Sequence, residues 1–202
     1  GSIIGGLYAA GYTGQDLETV IHEVDWEDVF SDTPPRELWS YQRKRDSSKY
    51  ILNVSFNRKG FVIPQGLTSG QKISNLMAFL TLNVSNIQNF DKLPIPYRAV
   101  AADIVTGEEV VLNHGSLAEA MRASMAVPGV FTPITIDDHL LVDGGIVNNL
   151  PVELVKEMGA DIVIAVDISS PLKSKEELGN PISILNQMVG LQMMKTTEAQ
   201  QI

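Results

Sequence analysis

Ala123-Ser124-Met125-Ala126-Val127-Pro128-Gly129-Val130-Phe131, followed after a short hairpin by Leu141-Val142-Asp143-Gly144-Gly145-Ile146-Val147-Asn148-Asn149-Leu150-Pro151, decides how the chain is read. An apolar strand that stops on a carboxylate and continues into two glycines presents that carboxylate at a strand end, over backbone free to bend sharply. Asp and Gly are also the residues of ordinary turns, and on their own these three would be read as one. Their surroundings are more elaborate. Ser116-Leu117-Ala118-Glu119 has the capping-box pattern and opens a helix that runs to about Met125, before Pro128 stops it. A hairpin over about 132–136 and 140–142, turning at Asp137-Asp138-His139, carries the chain to Asp143. Pro151 opens a helix over 152–158, with Gly159 as its cap. Asp143 is therefore the first candidate for chemistry, with Asn148 and Asn149 beside it.

At 202 residues and 44% apolar content the chain supports one packed core, a single domain over 1–202. No run of about 18 apolar residues occurs, so no segment reads as a membrane-spanning helix. Cysteine is absent, which excludes disulfides and thiolate metal sites and leaves the compartment open. A net charge of -9 argues against nucleic acid as a partner and against broad attraction to anionic membranes.

Residues 1–11, small and apolar, read as a buried helix that allows close approach of a neighbour, so the chain is expected to start inside a longer protein. Thr13 caps a second helix over 14–24. Residues 25–45 read as a surface loop whose Phe30, Trp39 and Tyr41 either pack on the core or face lipid. In the same loop Arg43-Lys44-Arg45 is either a solvated charge run or a phosphate contact. A hairpin over 50–63, a helix over 70–82 and a strand over 96–103 follow, the last turning at Thr106-Gly107 into 109–112. The run Ile162-Val163-Ile164-Ala165-Val166 is the strongest buried-strand signal in the chain and, coming directly after a helix, suits a βαβ arrangement. Beyond a linker over 169–180, residues 181–202 form a docking helix on whose face Ile182, Leu185, Met188, Val189 and Gln192 fall. That helix also offers a homodimer contact.

Taken together, these residues resemble the patatin-like lipid acyl hydrolases over nearly the whole chain. Gly1-Ser2-Ile3-Ile4-Gly5-Gly6-Leu7-Tyr8-Ala9-Ala10-Gly11-Tyr12 is similar to the continuation of that family's G-x-S-x-G elbow. Ala123 to Phe131, Asp143-Gly144-Gly145 and Asn149-Leu150-Pro151 match its A-S-x-A-x-P-x-x-F, D-G-G and N-x-P signatures, in order. The likeness is greatest to the bacterial branch, which includes secreted members that precede an outer-membrane barrel. It implies an α/β fold, a three-layer α/β/α arrangement with a mainly parallel central sheet, and a secreted or outer-membrane-associated location.

Aligned on the elbow, Gly1 is its last glycine, so the nucleophilic serine is expected two positions before residue 1 and the oxyanion-hole glycines further upstream. Ser2 does not have the elbow spacing. On this reading the 202-residue chain alone lacks its nucleophile and is inactive. The resemblance implies ester hydrolysis in phospholipids or other acyl lipids, of phospholipase A or lysophospholipase type, through an acyl-serine, with no metal or other cofactor and with peripheral membrane contact. His22, His114 and His139 all precede Asp143, against the Ser, Asp, His order of α/β-hydrolases. Their order agrees instead with a Ser-Asp dyad in which Asp143 is the base. A free aspartate, pKa about 3.9, is a poor base for an alcohol, so Asp143 is expected to be partly desolvated. Gly144, Gly145, Asn148 and Asn149 would position its loop, and Met125, Val127, Val130 and Phe131 would wall an apolar cleft or belong to the plain core. Two other readings stand beside this one. Asp103, Asp143 and Asp167 all end apolar strands and could converge on Mg2+ for phosphoryl transfer; or the domain binds lipid or a partner without chemistry.

Overall fold

A computed structural model describes residues 1–31, 55–57, 60–62, 66–168, 171–179 and 181–200. The chain opens with three helices, α1 (Ser2–Ala9), α2 (Gly14–Glu23) and α3 (Trp26–Val29). Thr13 closes a reciprocal capping box on α2: its hydroxyl accepts the Asp16 N–H at 3.2 Å while the Asp16 carboxylate accepts the Thr13 N–H at 2.8 Å. Trp39, Tyr41 and Arg43-Lys44-Arg45 lie outside the described residues. Strands β1 (Ser55–Asn57) and β2 (Gly60–Val62) pair antiparallel, and β3 (Gly66–Thr68) leads into α4 (Gln71–Leu80).

The main sheet follows. β4 (Ala99–Asp103) is buried at every position and turns into β5 (Glu109–Leu112). Helix α5 (Leu117–Ser124) starts where the Ser116 hydroxyl accepts the Glu119 N–H at 3.3 Å. Then come β6 (Gly129–Phe131), β7 (Ile134–Ile136) and β8 (His139–Asp143). Asp137 and Asp138 take φ of 48° and 67°, the left-handed pair that a two-residue hairpin loop requires, and so set the β7–β8 register. The four strands lie in the order β5-β4-β8-β7, antiparallel throughout, while β3 pairs in parallel with β6. Helices α6 (Val152–Glu157) and α7 (Pro181–Gln200) complete the described elements.

The core lies where α1, α4 and α5 meet the sheet, around Ile73, Met77, Phe90, Ala101, Met121 and Leu141. Both ends of α1 are tied down. Tyr97 donates its hydroxyl to the Ser2 carbonyl at 2.9 Å, and Asn83 donates to the Ala10 carbonyl at 2.8 Å. A Cβ on Gly6 would sit 2.2 Å from the Met121 sulfur, so the small residues of α1 do allow the close approach their sequence suggests.

The chain combines helices with a sheet and is an α/β protein, as expected, but the run 161–167 is not a strand. Ile162, Ile164, Val166 and Ile168 are 84%, 86%, 69% and 74% exposed, and none of the ladders among the described residues includes them. A buried parallel strand needs a neighbour along its edge and a layer on each face. The run pairs with none of the described strands, so it has apolar composition without the ladder and covering layers that would bury it. Parallel pairing among the described strands is therefore the β3–β6 ladder.

Candidate active site

β8 ends on Asp143, half-buried at the wall of a cavity. Its Cα pairs with Ala101 of β4, and its N–H donates to the Ala126 carbonyl at 3.0 Å, so the strand end is fixed from both sides. The chain then tightens into a 3-10 turn over Gly144–Ile146, with Asp143 Oδ1 accepting the Gly145 N–H at 2.8 Å. Glycine is required at the first position by close approach: a Cβ on Gly144 would lie 2.2 Å from the Val100 carbonyl oxygen, a backbone atom that cannot swing aside. Burial pushes the Asp143 carboxyl above its ordinary pKa, and the Gly145 N–H opposes that shift without cancelling it.

Asp143 opens onto a cavity of about 890 Å³. Gly1 and Ser2 of the α1 start, Met125, and Asn148 and Asn149 line it together with Asp143, and the exposed apolar residues Ile164 and Val166 border it as well. The amino-terminal end of α1 and the raised carboxyl thus face one space. Asn148 Nδ2 donates to Glu109 Oε2 on β5 at 2.9 Å, and Asn149 Nδ2 donates to the Thr197 hydroxyl on α7 at 2.8 Å. Both side chains span from the Asp143 loop to other elements.

Of the four expected wall residues, Met125 lines the cavity and the other three do not. Gly129, at φ 81°, turns β6 to pair with β3, and Phe131 is carried into the core. There its ring lies 5.8 Å from that of Phe30 and 4.7 Å from the Arg122 guanidinium. Val130 packs on the same cluster, and Val127 is taken up by the turn, its N–H donating to the Met125 carbonyl at 2.9 Å.

The three strand-end aspartates do not converge. Asp103 lies outside the cavity wall, buried, with His139 Nδ1 at 2.8 Å from one carboxylate oxygen and the Val105 N–H at 2.9 Å from the other. The His139 hydrogen bond, reinforced by the backbone donor, holds the Asp103 carboxyl below the usual range. Asp167 stands on the exposed run. Among the described residues no group of three His, Asp or Glu side chains is placed to hold a metal ion. His139, which the sequence places in the hairpin turn, is instead the first residue of β8, and the antiparallel pairing of β8 with β4 brings it to Asp103. Of the polar residues that α7 turns to the Asp143 loop, the sequence singles out Gln192 and not Thr196, Thr197 or Gln200.

Residues 1–156 match the family model described as patatin-like phospholipase. An uncharacterized NTE family protein of Mycobacterium tuberculosis is 46% identical over 169 residues, covering 84% of this chain and 39% of that protein. A second NTE family protein of the same species is 34% identical over 109 residues, or 54% of this chain and 18% of the relative. Patatin-like phospholipase domain-containing protein 7 of Mus musculus is 41% identical over 93 residues, 44% of this chain and 7% of the mouse protein. The chain thus spans about two fifths of the length of the first mycobacterial relative, 39%.

Proposed function

The chain belongs to the patatin-like phospholipase family, a family of lipid hydrolases, and from that premise we propose that the protein is a serine-dependent lipid acyl hydrolase with Asp143 as its base. One observation supports this most strongly: a carboxyl raised by burial faces, across a single cavity, the amino-terminal end of the helix that resembles the nucleophile helix.

A serine on the amino-terminal side of α1 gives its hydroxyl proton to Asp143 as its oxygen attacks the ester carbonyl carbon. The tetrahedral centre then collapses and expels the alcohol or lysolipid, which takes the proton back, leaving an acyl-serine. Water attacks that acyl group with Asp143 again accepting the proton; serine is regenerated and the fatty acid leaves. For this, Asp143 must be ionised yet basic, and partial burial with a single backbone donor meets both needs better than a solvated or heavily hydrogen-bonded carboxylate. The Gly145 N–H also fixes which carboxylate oxygen is engaged and leaves the other for the serine.

Phospholipids and lysophospholipids are the substrate class proposed, reached by peripheral contact with a lipid surface. Secreted or outer-membrane association, and self-pairing through α7, belong to the same proposal. No helix among the described residues is long and apolar enough to cross a membrane. The test is ester hydrolysis by the complete protein, with and without EDTA, in wild type and Asp143→Asn. Activity that resists EDTA and collapses in the variant, whose fold is retained, supports the reading. Undiminished activity in Asp143→Asn overturns it, and lipid binding without ester release favours a binding domain.

A further inference from the structure

The Asp143 loop is covered by α7, a helix whose Met193 and Met194 line the same cavity but which supplies no group to the chemistry proposed above. α7 lays one face along residues 145–150 and meets it with polar side chains. Gln192 Nε2 donates to the Ile146 carbonyl at 3.3 Å, and the Thr196 hydroxyl stands 3.1 Å from the Gly145 carbonyl. Thr197 accepts from Asn149 at 2.8 Å and donates to the Met193 carbonyl at 2.9 Å, so its buried hydroxyl is used in both directions. Gln200 accepts the Leu150 N–H at 2.8 Å and donates to the Asn148 side-chain oxygen Oδ1. The contact positions 196, 197 and 200 fall on one helical face with Gln192 at its edge, and Ile184 and Leu191 are left exposed away from it.

This set of bonds reaches the carboxyl through one residue. The Gly145 N–H is the donor to Asp143, and its carbonyl faces Thr196. Above it, a side chain on Gly145 would lie 2.7 Å from Asn149 Oδ1 and 3.0 Å from the Met193 methyl group, so loop and helix meet without a gap. The partners are about 50 residues apart in sequence, 48 for Asn149 and Thr197 and 50 for Leu150 and Gln200, which makes the bonds tertiary ties and not local loop geometry. Neutral ties of this kind stabilise a fold by only about 1 kcal/mol each. A misplacement of about 1 Å at a reacting group, by contrast, can cost a hundredfold in rate.

We propose that Thr196, Thr197 and Gln200 of α7 are positioning residues, which hold the Asp143 loop in its reactive geometry through Gly145, Asn149 and Asn148. This rests on the reading of Asp143 as the base, and α7 itself touches no reacting atom.

The experiment uses the complete protein with Thr197→Val, Thr197→Ser and, as a second break near the end of the helix, Gln200→Met. A nitrophenyl acyl ester reports kcat and KM, and amide hydrogen exchange reports the loop directly. The expected result in Thr197→Val and Gln200→Met is a kcat lower by about tenfold with KM within about twofold. Amide exchange over 145–150 quickens while β4 amides keep their protection, and Thr197→Ser restores both kcat and protection. Faster loop exchange with unchanged kcat overturns the proposal, because α7 is then only a cover. So does a loss of kcat accompanied by faster exchange in β4, which marks a general structural role. A wild type without ester hydrolysis overturns the preceding reading and the positioning role with it. That failure is told apart from failure of the clamp itself, since exchange over 145–150 still responds to Thr197→Val.

Discussion

Asp103 and Asp143 end neighbouring antiparallel strands of one sheet, yet their carboxyls are driven in opposite directions. Asp103 meets an imidazole and a backbone N–H, and these donors outweigh the cost of burial. Asp143 meets one backbone N–H, and burial wins. The contrast teaches that strand-end position alone does not make a catalytic carboxylate. What separates a structural aspartate from a candidate base is how much of its charge the surrounding donors satisfy. Asp103 locks the β7–β8 hairpin to β4; Asp143 is left basic and open to a cavity.

The sharpest way to break that comparison is to neutralise each carboxyl in turn. Asp143→Asn should lower ester hydrolysis by the complete protein by about 10³-fold, within the span of a general base, whereas Asp103→Asn should leave kcat/KM within about threefold. Equal losses in the two would abolish the distinction. Next in size is Gly144→Ala, whose Cβ would fall 2.2 Å from the Val100 oxygen. The required shift of β4 against the Asp143 turn should cost about 3 kcal/mol of stability, read by urea denaturation. An unshifted midpoint would mean the close approach is not real.

Protonation gives two smaller effects of opposite sign. As a base, Asp143 works only when ionised, so kcat/KM should fall as pH drops through a value above the ordinary aspartate range, and Asp103→Asn should leave that acid limb in place. For stability the sign reverses between the two. The fold favours the neutral form of Asp143, so its contribution is greatest at low pH and declines as pH rises through its raised pKa. The fold favours the charged form of Asp103, so its contribution is present above the unfolded value of about 3.9 and is lost as pH falls through its lowered pKa. Thermal denaturation of wild type and Asp103→Asn below about pH 4 checks this, and the variant should lose less stability over that window.

Local signals in the sequence carried far. Thr13, Ser116 and Pro151 mark helix starts because capping is decided within a few residues, and Asp137-Asp138 marks the hairpin because few residues tolerate positive φ. Asp143 and its two glycines were legible for the same reason: the turn and the close approach are built from adjacent positions. The failures were all non-local. Ile162 to Ile168 has strand composition, but composition does not supply a neighbouring edge, and the run is exposed. Phe131 turns inward because β6 pairs with β3, a partner more than 60 residues earlier at Gly66 and Thr68. The ties between α7 and the Asp143 loop, like the pairing of His139 with Asp103, join residues whose proximity only the tertiary fold creates.

The most direct test of the central contrast is a carbon-detected NMR titration of the aspartate carboxyls in the complete protein, with Asp103→Asn and Asp143→Asn assigning the two resonances. The account predicts a midpoint for Asp143 above the ordinary aspartate range and one for Asp103 below it. Coincident midpoints, or the reverse order, would contradict it.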